Sequence, residues 1–443
     1  MTTANGAGNN PELASLLADA RAQFGRGAIA DAAALYQRVL AIAPDHGEAL
    51  VFVGQRALAE GHFELARSML ERAVGQNGSD VQLLNTYGLS CIGAGRLDEA
   101  RGTFERLLRL APDFFVARLH LGHVLENLGD AHAALREYFV AILHAQAKGR
   151  WLNAETTAPA LHGLVTAAMR FVNGGRRQLL GKTIASLRVP KGDAALQRVQ
   201  QALDIYLQEV PPNYVNRLQK PKFLYVPGLP TAPFFPRELF AWYAELERNT
   251  AIIREELTAV LGGEEGIEPF LKLPSPDMTA QYLGGGPQGA PAWDAFFFYR
   301  HGSRYDENCA RCPRTTAIIE TLPLARIRAH APEICFSVLA PGTHILPHHG
   351  VTNARVVTHL PLIVPEDCAL RVGGEEHAWQ EGRCVTFDDT FEHEAWNRST
   401  QTRVVLILDS WNPYLSAVEC AALAGTIEAI GDFNRECGIS EPS

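Results

Sequence analysis

Several features that mark specialised protein classes are scarce or missing in this sequence. No uninterrupted apolar run reaches about 18 residues, so no membrane-spanning helix is expected. Basic residues do not dominate, since 40 Lys and Arg stand against 49 Asp and Glu and give a formal net charge of -9. A chain of this charge lacks the basic surface that nucleic-acid binding requires, so no nucleic-acid partner is predicted.

Cysteine is sparse as well, and the N-terminus carries no secretory signal. Eight cysteines in 443 residues are too few for a disulfide-rich secreted scaffold. Residues 1–10 are small and polar, without the basic and apolar regions of a signal peptide. We therefore expect reduced thiols and a cytoplasmic location.

The rest of the composition is that of a globular protein with more than one domain. Hydrophobic residues make up 47% and charged residues 20% of the chain, which excludes a disordered or collagen-like protein. A chain of 443 residues exceeds the size of a single hydrophobic core, so two or three domains are predicted.

The first third of the chain repeats itself with a period of 34 residues. Four classes of residue follow this step: Gly54, Gly88 and Gly122; Ala32, Ala66, Ala100 and Ala134; Tyr36, Leu70, Phe104 and Tyr138; Gly27, Gly61, Gly95 and Gly129. Pro44 and Pro112 lie two periods apart, with Gly78 between them. A fixed period of this length predicts stacked copies of one supersecondary unit.

Each class of repeated residue has a physical role in a helical hairpin. Small residues let two helices approach closely, and the aromatic or leucine residue fills the space between them. One glycine suits the turn after the first helix, and a proline ends the second helix. The pattern resembles the tetratricopeptide repeat, with about four hairpins over 12–148; an irregular helical bundle is the alternative.

A solenoid of this kind presents a concave face, usually to a peptide or protein segment. We therefore predict a peptide or protein substrate that the repeat array could help to hold. The segment 149–214 is predicted to be a helical capping or linker region, which Pro211 and Pro212 bring to an end.

From about residue 220 the helical pattern gives way to a mixed one. The segment 223–230 is predicted to be a strand ending in a turn, and 237–261 is predicted to be a helix. The segment 262–292 is rich in Gly and Pro and is predicted to be a long loop.

After Leu322 short apolar segments alternate with turns that glycine marks. The predicted strands are Ile334–Leu339, His344–Pro347, Arg355–Ile363, Ala369–Val372, Glu376–Trp379, Cys384–Phe387, His393–Trp396 and Val404–Leu408. Strands of this spacing predict a jelly-roll or cupin-like double-stranded β-helix over 215–420, with a C-terminal helix or tail at 421–443. The whole chain is therefore predicted to be a multidomain α + β protein.

Histidines stand at two places in this strand region. His344, His348 and His349 lie in the segment 341–350, and His393 lies about 45 residues further on, at a later strand. A β-roll can direct imidazoles from two such strands into its mouth. Neutral imidazole suits Fe, Zn, Cu or Ni, so the spacing does not select a metal. Histidines with a purely structural role are the alternative.

An arginine follows His393 by ten residues, at the head of the apolar segment Arg403–Asp409. Such an arginine is unfavourable in a buried strand unless it meets an anion, and its planar guanidinium can hold a carboxylate through two hydrogen bonds. Two histidines with a downstream arginine are what an iron(II)- and 2-oxoglutarate-dependent oxygenase needs. The imidazoles hold iron, and the arginine anchors the 2-oxoacid.

With these residues in place, the segment 336–413 resembles the aspartyl/asparaginyl β-hydroxylase family. The motifs that carry the resemblance are Pro-Gly-Thr-His with Pro-His-x-Gly, Thr-Asn-x-Arg with His-Leu, Phe-Asp-Asp-x-Phe-Glu-His-Glu, and Arg with a following Trp-Asn-Pro. Weaker similarity extends the match to about 215–415. The resemblance implies iron(II), 2-oxoglutarate and O₂ as cofactor and cosubstrates.

The resemblance also assigns roles to individual residues. It implies His348 and His393 as iron ligands, Arg403 and Ser337 as partners of the far carboxylate of 2-oxoglutarate, His359 at its other end, and Asp389 beside the iron through water. Many related oxygenases have a carboxylate two residues after the first histidine, where this chain has Gly350. This family is similar in lacking that carboxylate.

One position departs from the family pattern. The family often shows Arg-x-Arg-x-His, and here Val357 stands where the second arginine would be, between Arg355 and His359. Arg355 or His349 substitutes for it, or cosubstrate binding is weakened. Arg355 is kept as a candidate cosubstrate contact.

The predicted function is hydroxylation of a side-chain carbon in a peptide or protein, with the β-carbon of Asp or Asn as the first choice. One rival is a non-catalytic repeat protein with a degenerate oxygenase domain, which Val357 favours. Others are a hydroxylase of a small molecule or lipid acyl chain, and a different metal β-roll enzyme. The pair Cys309 and Cys312 is interpreted as a structural loop rather than half a zinc site.

Overall fold

The computed structural model describes residues 10–191, 194–263, 265–272 and 275–439. The chain divides into two compact units, 1–175 and 176–443. The first unit is helical and the second contains the β-sheets, in agreement with the predicted multidomain α + β class. None of the helices in the described part of the chain combines the length and apolar character needed to cross a bilayer.

In the first unit, consecutive helices pair into four hairpins. They are α1 (Pro11–Gly25), α2 (Ile29–Ile42), α3 (Gly47–Ala59), α4 (Phe63–Gln76), α5 (Val81–Gly93), α6 (Leu97–Leu110), α7 (Phe115–Asn127) and α8 (Ala131–Ala147). Gly27, Gly61, Gly95 and Gly129 follow the first helix of each hairpin with φ between 73° and 85°. Glycine adopts this conformation without steric strain, so it ends the helix and starts the turn.

The repeated glycines and large side chains meet inside the hairpins. A Cβ on Gly54 would lie 2.7 Å from Leu70 Cγ, one on Gly88 2.6 Å from the Phe104 ring, and one on Gly122 2.5 Å from the Tyr138 ring. The repeated alanines at 32, 66, 100 and 134 are completely buried. These contacts confirm the physical roles predicted for the 34-residue period.

Three further helices follow, α9 (His162–Leu180), α10 (Lys182–Lys191) and α11 (Gln197–Tyr206). They lie in the segment 149–214 that was predicted to be helical. The boundary between the two units falls within α9. The C-terminal helix is α17 (Ala417–Glu436), and an ion pair of 2.7 Å between Arg198 and Glu419 joins it to α11. Residues 440–443 of the predicted tail lie outside the described residues.

The second unit contains short helices and two antiparallel sheets. The helices are α12 (Tyr243–Arg248), α13 (Thr250–Gly263), α14 (Pro276–Thr279), α15 (Asp306–Arg311) and α16 (Pro313–Glu320). The strands are β1 (Ile267–Pro269), β2 (Leu283–Gly285), β3 (Trp293–Arg300), β4 (Ser303–Arg304), β5 (Ile334–Leu339), β6 (Thr343–His348), β7 (Arg355–Ile363), β8 (Cys368–Val372), β9 (Glu375–Ala378), β10 (Val385–Phe387), β11 (His393–Asn397) and β12 (Arg403–Trp411). All eight predicted strands are present.

One sheet has the order β1-β3-β5-β12-β7-β10, with β4 on β3, and the other has the order β2-β6-β11-β8-β9. Alternate residues of β12 serve two cores. Val404 and Leu406 point to a cluster shared with helices α12, α13, α15 and α16, whereas Val405 belongs to a cluster between the two sheets. The central strands of the first sheet are therefore buried on both faces, and the space between the sheets holds the candidate site.

Three sequence-based expectations outside the roll were wrong in part. The segment 223–230 is not a regular strand, because only an isolated bridge between Leu224 and Thr352 forms there. The helix predicted over 237–261 is divided into a single 3₁₀ turn, α12 and α13. The predicted loop 262–292 contains β1, α14 and β2, because the edges of both sheets recruit short pieces of it.

Candidate functional site

His348 and His393 lie opposite each other on neighbouring strands. His348 ends β6, His393 begins β11, and the two residues are directly paired in the ladder. Their ring centroids are 4.1 Å apart with an interplanar angle of 51°. Two imidazoles at this separation and tilt can turn toward one common point.

A β-bulge brings His348 to this position. Ile345 pairs with Ala395, and a regular ladder would then place residue 347 opposite His393. Because side chains alternate between faces, His348 would point away from the space between the sheets. A one-residue shift in β6 corrects this and sets His348 on the same face as His393. Pro347, which has no N–H to pair, lies within the bulge.

Backbone carbonyls fix the orientation of both rings. His348 Nδ1 is 2.8 Å from the Leu346 carbonyl, and His393 Nδ1 is 3.0 Å from the Phe391 carbonyl. Since a carbonyl only accepts, each Nδ1 carries the proton and each Nε2 of a neutral ring has a free lone pair. Burial lowers the pKa of both rings. Both are therefore neutral and prepared to bind a metal through Nε2.

Arg403 lies deep between the sheets without a counter-ion. It is the largest fully buried side chain in the described residues, with 1% exposure, and it forms no ion pair among them. Its Nε and Nη1 have no hydrogen-bond partner, and its guanidinium lies 4.8 Å from the Trp379 ring centroid. Burial lowers the pKa of Arg403 to about 10, so it stays charged at neutral pH. A buried cation with free donors is a receptor for an anion.

Aromatic and imidazole rings connect Arg403 with the histidine pair. His393 is 5.6 Å from the Phe387 ring, Phe387 is 5.0 Å from His359, and His359 is 5.8 Å from Trp379. His359 Nδ1 and Trp379 Nε1 are buried without a hydrogen-bond partner. Burial and the Arg403 charge lower the pKa of His359 well below its usual value. The space therefore offers unsatisfied polar atoms to a small polar molecule.

Trp379 was missed as a site residue by the sequence analysis, which placed it only at the end of a strand. The sequence feature that could have indicated this role is its position at the end of a predicted strand of the roll. Ser337 was predicted, and it lies on the inner face of β5, two residues from Leu339, which pairs with Arg403. Its Oγ accepts a hydrogen bond of 2.9 Å from Trp293 Nε1, which leaves the hydroxyl hydrogen free to donate.

Asp389 fills the space that Gly350 leaves open. A Cβ on Gly350 would lie 2.2 Å from the Asp389 carboxyl carbon, so only glycine fits there. Burial raises the pKa of Asp389 to about 7 against the opposing charge of Arg355, and its Oδ1 has no partner. The adjacent Asp388, in contrast, accepts hydrogen bonds from Thr390 N and Gln219 Nε2 at 2.9 and 2.6 Å. Of the two carboxyls, Asp389 is therefore the one available for chemistry.

Arg355 is already partnered. Its Nη1 donates to Asp409 Oδ2 at 2.5 Å, and Asp409 is 1% exposed. Burial disfavours the charged guanidinium, but the carboxylates of Asp409, Asp389 and Glu333 raise its pKa overall. Its predicted contact with the cosubstrate stays a prediction, whereas its contact with Asp409 holds β7 to β12.

The residues present fit a metal with two protein ligands and open positions. No group of three or more His, Cys, Asp or Glu side chains within 10–191, 194–263, 265–272 and 275–439 is arranged to hold a metal. His344 points to the other face of its sheet, where its Nε2 donates to Glu394 at 2.6 Å. Cys309 and Cys312 are buried, and burial raises the pKa of both thiols, to about 12 for Cys312, which disfavours the thiolate form that binds metals.

Comparison with known proteins adds two family matches. Residues 247–413 match the family model described as aspartyl/asparaginyl beta-hydroxylase. Residues 17–81, 53–113 and 88–150 match a tetratricopeptide repeat model. A solved structure titled "MamA RS-1 ArsTM double mutant" is 20% identical and covers 31% of this chain and 79% of that chain, with a TM-score of 0.29. That likeness is too low to support an argument.

Three curated relatives are similar to the second unit or to more of the chain. Aspartate beta-hydroxylase domain-containing protein 2 of Xenopus tropicalis is 36% identical over 47% of this chain and 56% of that protein. Aspartyl/asparaginyl beta-hydroxylase of Homo sapiens is 28% identical over 80% of this chain and 42% of that protein. Ornithine lipid ester-linked acyl 2-hydroxylase of Rhizobium tropici is 34% identical over 42% of this chain and 62% of that protein. The chain thus spans less than two thirds of each of these proteins.

Proposed function

Because residues 247–413 form a domain of the aspartyl/asparaginyl β-hydroxylase family, preceded by tetratricopeptide repeats, we propose that this chain is an iron(II)- and 2-oxoglutarate-dependent dioxygenase. Its substrate is a peptide or protein, and the reaction hydroxylates a side-chain carbon, with the β-carbon of Asp or Asn as the first choice. We place it in the cytoplasm. The relatives of this family support hydroxylase activity in general.

The observation that carries the proposal is the unpaired guanidinium of Arg403. A buried cation without a counter-ion is unfavourable by several kcal/mol, so its presence needs an anion that binds from outside the chain. The Ser337 hydroxyl lies on the same inner sheet face, and the His359 ring stands between Arg403 and the histidine pair. A dicarboxylate with a 2-oxo group fits this order of groups.

The strand order supports the double-stranded β-helix that such enzymes use. If β5 to β12 are counted as strands one to eight, one sheet contains the order 1-8-3-6 and the other 2-7-4-5. This alternation places β6 and β11, which carry the two histidines, side by side in one sheet. It places β5, β7 and β12, which carry Ser337, His359 and Arg403, in the facing sheet.

In the proposed reaction each residue has a defined task. His348 and His393 hold the iron through Nε2, and Arg403 and Ser337 bind the far carboxylate of 2-oxoglutarate. Bound iron(II) supplies O₂ activation coupled to conversion of 2-oxoglutarate to succinate and CO₂, with the second oxygen atom entering the substrate as a hydroxyl. Asp389, with a pKa of about 7, can give or take a proton of a water beside the metal.

Two lysines at the edge of the site support an acidic substrate side chain. Lys220 N donates to the Thr390 carbonyl at 2.8 Å, and Lys222 N donates to the Gly350 carbonyl at 3.1 Å. Both lysines are exposed. Burial lowers the pKa of His349, next to the histidine pair, and the two lysine charges lower it further, whereas Glu392 raises it. An aspartate side chain that approaches the metal would therefore meet two lysine charges, with Glu392 beside them.

A second candidate is hydroxylation of an acyl chain. The Rhizobium tropici relative is named for such an activity, and Val357 gives the inner face of β7 an apolar residue next to His359. An apolar wall suits a hydrocarbon better than a carboxylate.

The test combines turnover with product identification. Purified protein with iron(II), labelled 2-oxoglutarate and O₂ is expected to release succinate, and His393→Ala is expected to abolish the release. Mass spectra of cellular proteins should show gain of one oxygen atom on Asp or Asn only with the active protein. Gain of oxygen on lipid extracts instead would favour the acyl candidate. Absence of both 2-oxoglutarate binding and turnover would favour a non-catalytic repeat protein.

A further inference from the structure

A connected polar cluster lies on the outer face of the five-stranded sheet, behind the histidine pair. Glu394 follows His393 and uses both carboxylate oxygens: Oε2 accepts from His344 Nε2 at 2.6 Å, and Oε1 accepts from Arg371 Nη1 at 2.6 Å. His344 is on β6 and Arg371 is on β8, so Glu394 on β11 joins three adjacent strands. The Glu394 side chain is only 13% exposed, unlike an ordinary surface acid.

An aromatic residue completes this outer cluster. The guanidinium groups of Arg371 and Arg398 lie 4.9 and 4.7 Å from the centroid of the Trp396 ring. The His344 ring meets the same indole edge to face at 6.1 Å. These contacts restrict the positions of Arg371 and His344, so the two hydrogen bonds of Glu394 join groups that are already held in place.

Glu394 stands opposite the bulge that turns His348 inward. The ladder shifts between His393 and Ala395, and Glu394 is the β11 residue between them. In the bulge of β6, both backbone polar groups of Leu346 have hydrogen-bond partners. Leu346 N donates to the Tyr282 carbonyl at 2.8 Å, and the Leu346 carbonyl accepts from His348 Nδ1. The regular pairing of β6 with β11 is interrupted over this stretch, so a side-chain link on the outer face adds a restraint where the ladder is irregular.

We propose that Glu394 is a positioning residue that holds β6 in the bulged register through His344, and thereby keeps His348 directed at the metal beside His393. This inference rests on the proposed metal site. A register slip of one residue would turn His348 to the outer face, so the fixed link between Glu394 and His344 determines whether the site has two ligands or one. The residue acts through His348 and does not touch the metal.

An exposed ion pair on the same sheet provides a matched control. Arg371 Nη2 also donates to Glu376 on β9 at 3.2 Å, and the Glu376 side chain is 54% exposed. Removing this carboxylate changes the charge of the sheet face by the same amount but leaves β6 and the bulge untouched. Surface pairs of this kind contribute little to stability.

The experiment is a Co²⁺ titration of the full chain, followed by the visible absorption of the bound ion, with thermal unfolding of the metal-free protein in parallel. Glu394→Ala is expected to weaken Co²⁺ binding about 10- to 100-fold and to change the absorption spectrum, as loss of an orienting contact does. Glu394→Gln, which keeps one acceptor oxygen, should fall between Glu394→Ala and the wild type. Glu376→Gln should match the wild type.

A second variant separates the link to β6 from general stability. His344→Ala leaves the pair of Glu394 and Arg371 in place, yet it should weaken Co²⁺ binding as Glu394→Ala does, and the double variant should be no worse than either. If Glu394→Ala fails to fold, His344→Ala and Glu394→Gln test the same link.

The outcomes distinguish this inference from the proposed function. If the wild type binds no Co²⁺, or His348→Ala and His393→Ala bind it unchanged, the metal site itself is wrong. If the wild type binds Co²⁺ through both histidines but Glu394→Ala and His344→Ala keep its affinity and spectrum, the positioning role alone is refuted. Loss of thermal stability with unchanged Co²⁺ binding would likewise assign Glu394 a purely structural role.

Discussion

At the scale of single residues, two buried arginines in one roll behave differently because only one has a counter-ion. Arg355 donates to Asp409, whereas Arg403 has no acidic partner among the described residues. Removing one member of a buried ion pair leaves the other charge buried without a partner, which destabilises the protein. Removing an unpaired buried charge leaves no such charge behind. Arg355 is therefore assigned a structural role, and Arg403 the role of binding a ligand.

We expect Arg403→Met to leave the free energy of unfolding unchanged or to raise it by about 1–3 kcal/mol, because an unpaired charge leaves the core. The same change should weaken 2-oxoglutarate binding about 100-fold, because a charge-assisted carboxylate contact is lost. Urea unfolding and calorimetric titration with 2-oxoglutarate measure the two effects.

Arg355→Met is the matched control for this prediction. It leaves Asp409 buried without its cation, so unfolding should become easier by about 3–5 kcal/mol. Equal destabilisation by both substitutions would show that Arg403 is a structural residue and would contradict its role as an anion receptor.

The carboxyl of Asp389 makes stability depend on pH. Its pKa is raised from 3.8 to about 7, so the unfolded chain releases this proton at lower pH than the folded protein does. The resulting penalty on folding is absent below about pH 4, grows up to about pH 7 and is complete above it. Asp389→Asn cannot ionise, so it should be more stable than the wild type by about 4 kcal/mol at pH 8 and equal to it at pH 4.

Urea unfolding of the metal-free protein across this pH range measures the difference. Asp388→Asn is the control, because Asp388 accepts hydrogen bonds from Thr390 N and Gln219 Nε2 that an amide nitrogen cannot accept. It should be less stable than the wild type at pH 4, where Asp389→Asn should match the wild type. A stability difference for Asp389→Asn that does not change with pH would refute the raised pKa.

At the scale of elements, the helical hairpins depend on a close approach between glycines and large side chains. Gly122→Ala would push a Cβ into the Tyr138 ring, and such overpacking typically reduces stability by about 1–3 kcal/mol. Gly102 in α6 faces open space, so Gly102→Ala should raise stability by about 1 kcal/mol through better helix propensity. Denaturant unfolding with a probe in the first unit measures the change in the free energy of unfolding for each variant. We expect a decrease for Gly122→Ala and an increase for Gly102→Ala; changes in the same direction would contradict this explanation of the packing.

Most elements were predictable from the sequence because their signals are local and repeated. The 34-residue period fixes residue types at helix ends and contacts, and Gly and Pro separate the strands of the roll. The break near residue 249 was missed because neither Gly nor Pro occurs within 237–261 to mark it. The segment 223–230 looks like a strand, yet it forms only an isolated bridge, between Leu224 and Thr352, because its other hydrogen bonds there do not follow a ladder.

The candidate site was predictable only in its residue types. The residues His348, His393 and Arg403 stand out by chemistry, but the bulge that aligns His348 depends on pairing with β11. The proline at 347 is its one local sign. The roles of Trp379 as a wall of the site and of Asp409 as the partner of Arg355 depend on strand register, which short-range patterns do not determine.

At the scale of the whole molecule, we propose separate tasks for the two units, with polypeptide capture in the repeat array and chemistry in the roll. A groove in the first hairpins is lined by Phe24, Tyr36 and Phe52. Phe24 is 54% exposed, so its truncation should hardly affect folding.

Phe24→Ala is expected to raise KM for a polypeptide substrate about 10-fold, because an aromatic anchor is lost, without changing succinate release in the absence of substrate. Leu110→Ala, at a residue 50% exposed at the end of α6, is the control and should leave both quantities unchanged. Steady-state kinetics with full-length substrate protein measures the effect; an unchanged KM for Phe24→Ala would exclude this groove from substrate capture.

The most direct test of the central claim is anaerobic equilibrium dialysis of the purified chain with iron(II) and radiolabelled 2-oxoglutarate. We expect one iron and one 2-oxoglutarate per chain. We expect His348→Ala/His393→Ala to lose iron, and Arg403→Met to lose 2-oxoglutarate while retaining iron. Iron that stays bound without both histidines, or 2-oxoglutarate that binds equally well without Arg403, would refute the proposed site.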